Sequence, residues 1–183
     1  MPSFEKRGVN VNGKCVAITR SLSQALSLHK EKSFLNTLKT STEIYERIAQ
    51  GKQISKREEK EAFTFSKLLS NFEEQVDCVT STLHSSLTHS RSCRMLSDLS
   101  NYIAGINDDF ALHLVTSNHV VAIYRIGDNY AYFDSNAAFI SELKSVDQLM
   151  QVVEKGIGFA GYKMGEKGFF IEHFNVNQAN DLL

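Results

Sequence analysis

The chain contains no tryptophan, one proline, three cysteines and 10 glycines among its 183 residues. With so little proline and glycine, few stretches have linker character, and no internal repeat or low-complexity tract is present. A small, odd number of cysteines argues against a disulfide framework and for thiols kept reduced where the protein acts. Net charge is nearly absent as well. Twenty basic against 21 acidic residues give −1, which excludes broad phosphate-driven binding of nucleic acid. No apolar run approaches the roughly 18 residues of a membrane span, and residues Met1–Arg7 lack the apolar core of a secretory signal. The 42% hydrophobic content suffices for a substantial core, and residues 1–183 read as one domain, compatible with excision from a longer polypeptide.

The first half has helical periodicity. Val16, Ala17, Ile18, Leu22, Ala25, Leu26 and Leu28 predict a helix starting at Cys15. A second helix is expected over Lys32–Ala49, stopping at Gly51. Phe65, Leu68, Leu69, Phe72, Val76, Val79 and Leu83 follow three- and four-residue steps and mark a third. Ser55 and Glu58 stand before it at capping-box spacing. A polar loop is expected at Ser85–Ser92 and a shorter helix over Cys93–Ile103. The second half changes period: Phe110–Thr116, His119–Ile126, Tyr130–Asp134 and Gly168–Phe174 read as strands, with a helix over Val146–Glu154 among them. Glycines 156, 158, 161, 165 and 168 mark a turn-rich passage before the last strand. Helices first and antiparallel strands second is an α+β pattern.

The stretch from His119 to Asp134 carries the most chemistry. Two strand-like runs flank Gly127-Asp128-Asn129, a turn signal suited to a two-residue hairpin. With Gly127-Asp128 as the loop, Ile126 pairs with Asn129 and Val121 with Asp134. Side chains alternate along a strand, so His119 and Asp134 then become diagonal neighbours on one face, about 7–8 Å apart at the backbone. A three-residue loop would send them to opposite faces.

A carboxylate beside an imidazole fixes its tautomer and orientation, and the imidazole can then take a proton from a nucleophile. The candidate nucleophile is Cys15, which follows Gly13-Lys14 and opens the first predicted helix. Exposed N–H groups at a helix start favour a thiolate there. Attack on a carbonyl also needs oxyanion donors. The Cys15 backbone N–H is one candidate and the Asn10 side chain, five residues earlier, another, with Asn12 a weaker choice.

Rival readings are thinner. Cys78, His84, His89 and Cys93 offer metal-ligand residue types but no Cys-x-x-Cys knuckle, so no metal and no other cofactor is expected. His113 and His173 lie inside strand-like runs, and no strand-closing acid follows either. The mixed charges of Lys56–Glu61 read as a solvated helix face, and the glycines from 156 to 168 lack phosphate-loop order.

Gly13-Lys14-Cys15 before a helix, His119-Val120-Val121-Ala122 opening a strand and Tyr132-Phe133-Asp134-Ser135-Asn136 closing the next resemble the YopT/AvrPphB type of papain-like cysteine peptidase. More particularly, they are similar to domains of this type within large bacterial toxins such as lymphostatin and PaTox. The resemblance covers roughly residues 8–26 and 119–139; the absence of tryptophan and the segment 30–105 depart from it and leave the substrate open. It implies a papain-like fold, a helical N-terminal half packed on a C-terminal antiparallel sheet, and a Cys15–His119–Asp134 triad with Asn10 at the oxyanion. It also implies a virulence factor released by a bacterium without a cleavable signal and acting in the host cytosol. The target would be a host protein, for example a small GTPase, or the parent toxin. Two other functions fit the same residues: a glutamine deamidase or related acyl-transfer enzyme, and a non-catalytic interaction module.

Overall fold

The computed structural model describes residues 15–27, 30–74, 87–116, 119–159, 161–162 and 168–176. Among them are five helices and six strands, an α+β content, in two compact units spanning Met1–Thr80 and Ser81–Leu183.

The described part of the first unit is three helices: α1 (Cys15–Ser27), α2 (Glu31–Ala49) and α3 (Lys56–Glu74), with α1 packed against both others. The apolar steps of the sequence become buried positions: Leu22 and Leu26 on α1, Ile44 on α2, Ala62 and Phe65 on α3. Phe34 meets Phe65 with ring centroids 6.2 Å apart, and the Tyr45 hydroxyl donates to the Ala62 carbonyl at 2.9 Å. Burial pushes the Tyr45 phenol up to about 12, so it remains a neutral donor. α1 also buries Ser21 and Ser23, whose hydroxyls donate to the carbonyls of Ala17 and Thr19 four residues back, at 2.7 and 3.1 Å. The expected capping box is present. Ser55 N–H donates to Glu58 Oε2 at 2.8 Å and Glu58 N–H to Ser55 Oγ at 3.2 Å. Val76, Val79 and Leu83, assigned to this helix from periodicity, lie outside the described residues.

The second unit is a six-stranded antiparallel sheet with two helices. Its elements in chain order are β1 (Leu87–Cys93), α4 (Leu96–Ala104), β2 (Phe110–Val115), β3 (Val120–Ile126), β4 (Asn129–Asp134), β5 (Ala138–Leu143), α5 (Val146–Phe159) and β6 (Phe169–Asn175). The strands lie in the order β1-β6-β2-β3-β4-β5, so β6 inserts between the first two. His173, Leu112, Ile123 and Tyr132 are successive register partners across the sheet, which puts them on one face. There Leu112, Ile123 and Tyr132 join Leu99 and Ile103 of α4 and Leu149, Val153 and Ile157 of α5 in a single core cluster. No helix among the described residues is long and apolar enough to cross a membrane.

Four points differ from the sequence-based expectation. The helix assigned to Cys93–Ile103 begins at Leu96, and Cys93 closes β1. β1 occupies most of the segment read as a polar loop, because its pairing is with β6, a partner far along the chain that a local reading does not reach. β5 was not anticipated: it is a largely exposed edge strand with no buried alternation. Finally, α5 runs on through Gly156 and Gly158 to Phe159, where the glycines suggested turns.

The continuation has a packing reason at Gly156. A Cβ there would come within 2.5 Å of the Tyr132 hydroxyl, at the end of a side chain only 2% exposed, whereas at Gly158 it would meet nothing within 4 Å. An ordinary helical Gly→Ala change stabilises by about 1 kcal/mol, but overpacking a core costs about 1–3 kcal/mol. Two substitutions two residues apart should therefore have opposite signs. In urea denaturation Gly158→Ala should raise stability by roughly 0.5–1 kcal/mol and Gly156→Ala should lower it by about 1–2 kcal/mol. Equal gains from both would contradict the packing assigned to Tyr132.

Candidate active site

The β3–β4 hairpin has the two-residue loop its sequence predicts. Ile126 pairs with Asn129 across Gly127-Asp128, and the register continues to Ala122 opposite Phe133. Gly127 has φ +57° while Asp128 keeps a negative φ, the pattern of a type II′ turn. Even loop parity puts His119 and Asp134 on one face. His119 itself lies just before β3, fixed by Thr116: its N–H donates to Thr116 Oγ1 at 3.0 Å, and its carbonyl accepts from the Thr116 hydroxyl and backbone N–H, both at 2.9 Å.

The two side chains meet directly. His119 Nε2 stands 2.9 Å from Asp134 Oδ1, with His119 5% and Asp134 2% exposed. The same Oδ1 accepts the Asn136 backbone N–H at 2.8 Å, an Asx turn that closes β4. Tyr162 donates its hydroxyl to Oδ2 at 2.8 Å, with Oδ1 at 3.1 Å, and its ring stacks on the imidazole at 4.2 Å between centroids and 20° between planes. The Asn136 side-chain amide is 3.4 Å from the Tyr162 hydroxyl and 3.5 Å from His119 Nδ1.

Burial by itself would raise the Asp134 carboxyl. The hydrogen bonds from His119, the Asn136 N–H and Tyr162, with the charge of a protonated His119, outweigh it and hold the group below the usual carboxylate range. Tyr132, two residues earlier on the same face, is pushed up by burial and then by the Asp134 charge, so its phenol stays protonated. An ionised carboxylate only accepts, so Nε2 of the neutral ring is the donor and Nδ1 carries the lone pair. This arrangement can take a proton at Nδ1 and stabilise the resulting cation.

The remaining candidates fall as follows. Cys15 is a partly buried thiol at the first position of α1, in the first unit; no acidic residue follows in that helix's first turn. Asn10 and Asn12 lie outside the described residues, as do Cys78 and His84. His89 belongs to β1; Cys93, at its end, is buried, and burial raises its thiol. Among the described residues no three His, Cys, Asp or Glu side chains form a group able to hold a metal ion. His173 is buried with Nδ1 2.7 Å from the Tyr102 hydroxyl. His113 is buried opposite Glu172 on β6, with Nδ1 3.5 Å from its carboxylate and the Phe174 ring at 4.7 Å. That second His–carboxylate pair has no local sequence signal, because its partner is in a distant strand. The only local signal of Tyr162 is an aromatic residue in the glycine-marked passage, and Asn136 was visible only as part of the strand-closing motif.

No protein-family model matches the sequence, and neither does any curated protein. Solved structures do. PatoxP, a cysteine protease-like domain of the Photorhabdus asymbiotica toxin PaTox, is similar over 67% of this chain and 45% of its own, at 12% identity and a TM-score of 0.40. The match thus spans less than half of PatoxP. The Pseudomonas avirulence protein AvrPphB is similar over 90% of this chain and 92% of its own, at 14% identity and a TM-score of 0.45.

A carboxyl whose folded-state pKa is depressed stabilises the fold above its unfolded value, about 3.9 for Asp, and loses that contribution as pH falls through the lower folded value. Asp134→Asn should therefore be less stable than the wild type at pH 7, and the gap should narrow below about pH 4. Urea midpoints for both proteins across pH 7 to 3 check this, and a gap independent of pH would show that the Asp134 charge is not what the hydrogen bonds stabilise.

Proposed function

We propose that the chain is a papain-like cysteine peptidase in which residues 1–183 work as one catalytic domain. In this reading Cys15 is the nucleophile, His119 the general base and acid, and Asp134 the group that orients and stabilises the imidazolium. The observation that carries it is the buried 2.9 Å bond from His119 Nε2 to Asp134, which leaves the basic lone pair on Nδ1. The position of Cys15 at the start of α1 supports its role, since the N–H groups of a first helical turn favour a thiolate.

The chemistry follows from those roles. Nδ1 takes the thiol proton, and the sulfur attacks the carbonyl carbon of the scissile peptide. The Cys15 backbone N–H and the Asn10 amide are the donors we assign to the oxyanion. As the C–N bond breaks, the imidazolium gives its proton to the leaving amine and a thioester remains. Water then attacks while His119 takes its proton, the C–S bond breaks, and the product acid leaves with the thiol restored. The reaction asks no cofactor of the chain. The substrate we assign is a protein, either of a host cell or the toxin polypeptide that carried the domain. The bacterial origin, release without a cleavable signal and action in host cytosol rest on the sequence resemblance.

Incubation of the protein with host-cell lysate, followed by mapping of new protein N-termini, tests the proposal. New termini should appear with wild type, vanish with Cys15→Ala, and fall by roughly 10²–10⁴-fold in rate with Asp134→Asn. Equal termini from wild type and Cys15→Ala would refute it. A target that instead gains about one dalton without cleavage, dependent on Cys15, would identify a deamidase, since the same thioester would then form on a side-chain amide.

A further inference from the structure

We infer that Tyr162 is a positioning residue for the His119–Asp134 pair, a role that rests on the catalytic reading above. Two contacts of different kinds carry it. The hydroxyl supplies the 2.8 Å hydrogen bond to Asp134 Oδ2, while Oδ1 is occupied by His119 Nε2 and the Asn136 N–H. The ring covers the imidazole at 4.2 Å and only 20° from parallel. One side chain thus pins the acid and roofs the base. The hydroxyl's own direction is set by the Asn136 amide, which donates to it at 3.4 Å and so turns its proton toward the carboxylate. A ring held flat under Tyr162, with its donor nitrogen on a fixed carboxylate, keeps the lone pair on Nδ1, as the proposed proton transfer requires.

The position of Tyr162 is built into the end of α5. Gly161 has φ +64°, its N–H donates to the Gly158 carbonyl at 3.3 Å, and the Tyr162 N–H donates to the Ile157 carbonyl at 3.3 Å. This pair of bonds around a left-handed glycine is the Schellman helix stop, with Gly161 at C′ and Tyr162 at C″. Ile157 is part of the core cluster, so the stop is anchored to the buried face of the helix. The glycine that ends the helix is what delivers the tyrosine to the histidine.

Nitrogen-15 NMR of the histidine rings in the full chain tests this without needing turnover, with the His119 signals identified by their loss in His119→Gln. The wild type should show the single Nε2–H tautomer. In Tyr162→Leu both ring nitrogens should shift toward the values of a tautomer mixture. Tyr162→Phe keeps the roof but frees the carboxylate from its hydroxyl donor. It should therefore move the Hε2 proton downfield as Asp134 becomes the stronger acceptor, and this variant decides the matter if Tyr162→Leu fails to fold. For peptide cleavage, kcat should fall about tenfold to a hundredfold in Tyr162→Leu with KM unchanged, and Tyr162→Phe should recover part of the loss. His119 signals identical to wild type in both variants would overturn the role of Tyr162, even with Cys15-dependent cleavage intact. Shifted signals in a protein whose cleavage does not need Cys15 would overturn the catalytic reading and leave the hold of Tyr162 on the imidazole standing.

Discussion

A carboxylate only 2% exposed is the constraint around which the second unit is arranged. An ion removed from water costs several kcal/mol unless charge and hydrogen bonds are returned to it. Asp134 recovers them from three sources that differ in origin: a side chain across the hairpin, a backbone N–H two residues on, and a phenol from beyond α5. Each exists only if a separate piece of local geometry is right, namely the turn at Gly127, the Asx turn at Asn136 and the helix stop at Gly161. The depressed pKa of Asp134 is the electrostatic summary of that agreement.

Much of this was legible in the sequence, and the reason is parity. A two-residue Gly-Asp loop fixes the register of the hairpin, and the register alone decides that His119 and Asp134 share a face. The start of α1 at Cys15 and the capping box at Ser55 were legible for similar reasons, as both depend on residues within a few positions of one another. What was not legible depends on distant partners. β1, with the sequence Leu-Thr-His-Ser-Arg-Ser-Cys, has no apolar alternation and becomes a strand because β6 lies beside it. Gly156 reads as a breaker until the Tyr132 hydroxyl is seen to need the space. Tyr162 gains its meaning only once the last turn of α5 is located, which glycine composition alone mislocated.

The proposed division of labour places the sulfur in the first unit and the imidazole with its acid in the second. His173 shows another arrangement, a buried imidazole beside the Tyr102 phenol. His113 shows an intermediate case, with its carboxylate 3.5 Å away and partly exposed. His119 combines a fully buried acid at 2.9 Å with an aromatic roof.

The central claim is that the imidazole held by Asp134 acts on the sulfur of Cys15. The most direct measurement is the rate at which Cys15 is alkylated by iodoacetamide as a function of pH, in wild type and in His119→Gln, with Cys78 and Cys93 followed by mass spectrometry as internal standards. The account predicts that Cys15 reacts fastest, already does so at mildly acidic pH, and loses that advantage in His119→Gln. A Cys15 rate indifferent to residue 119, or no greater than that of the buried Cys93, would contradict it.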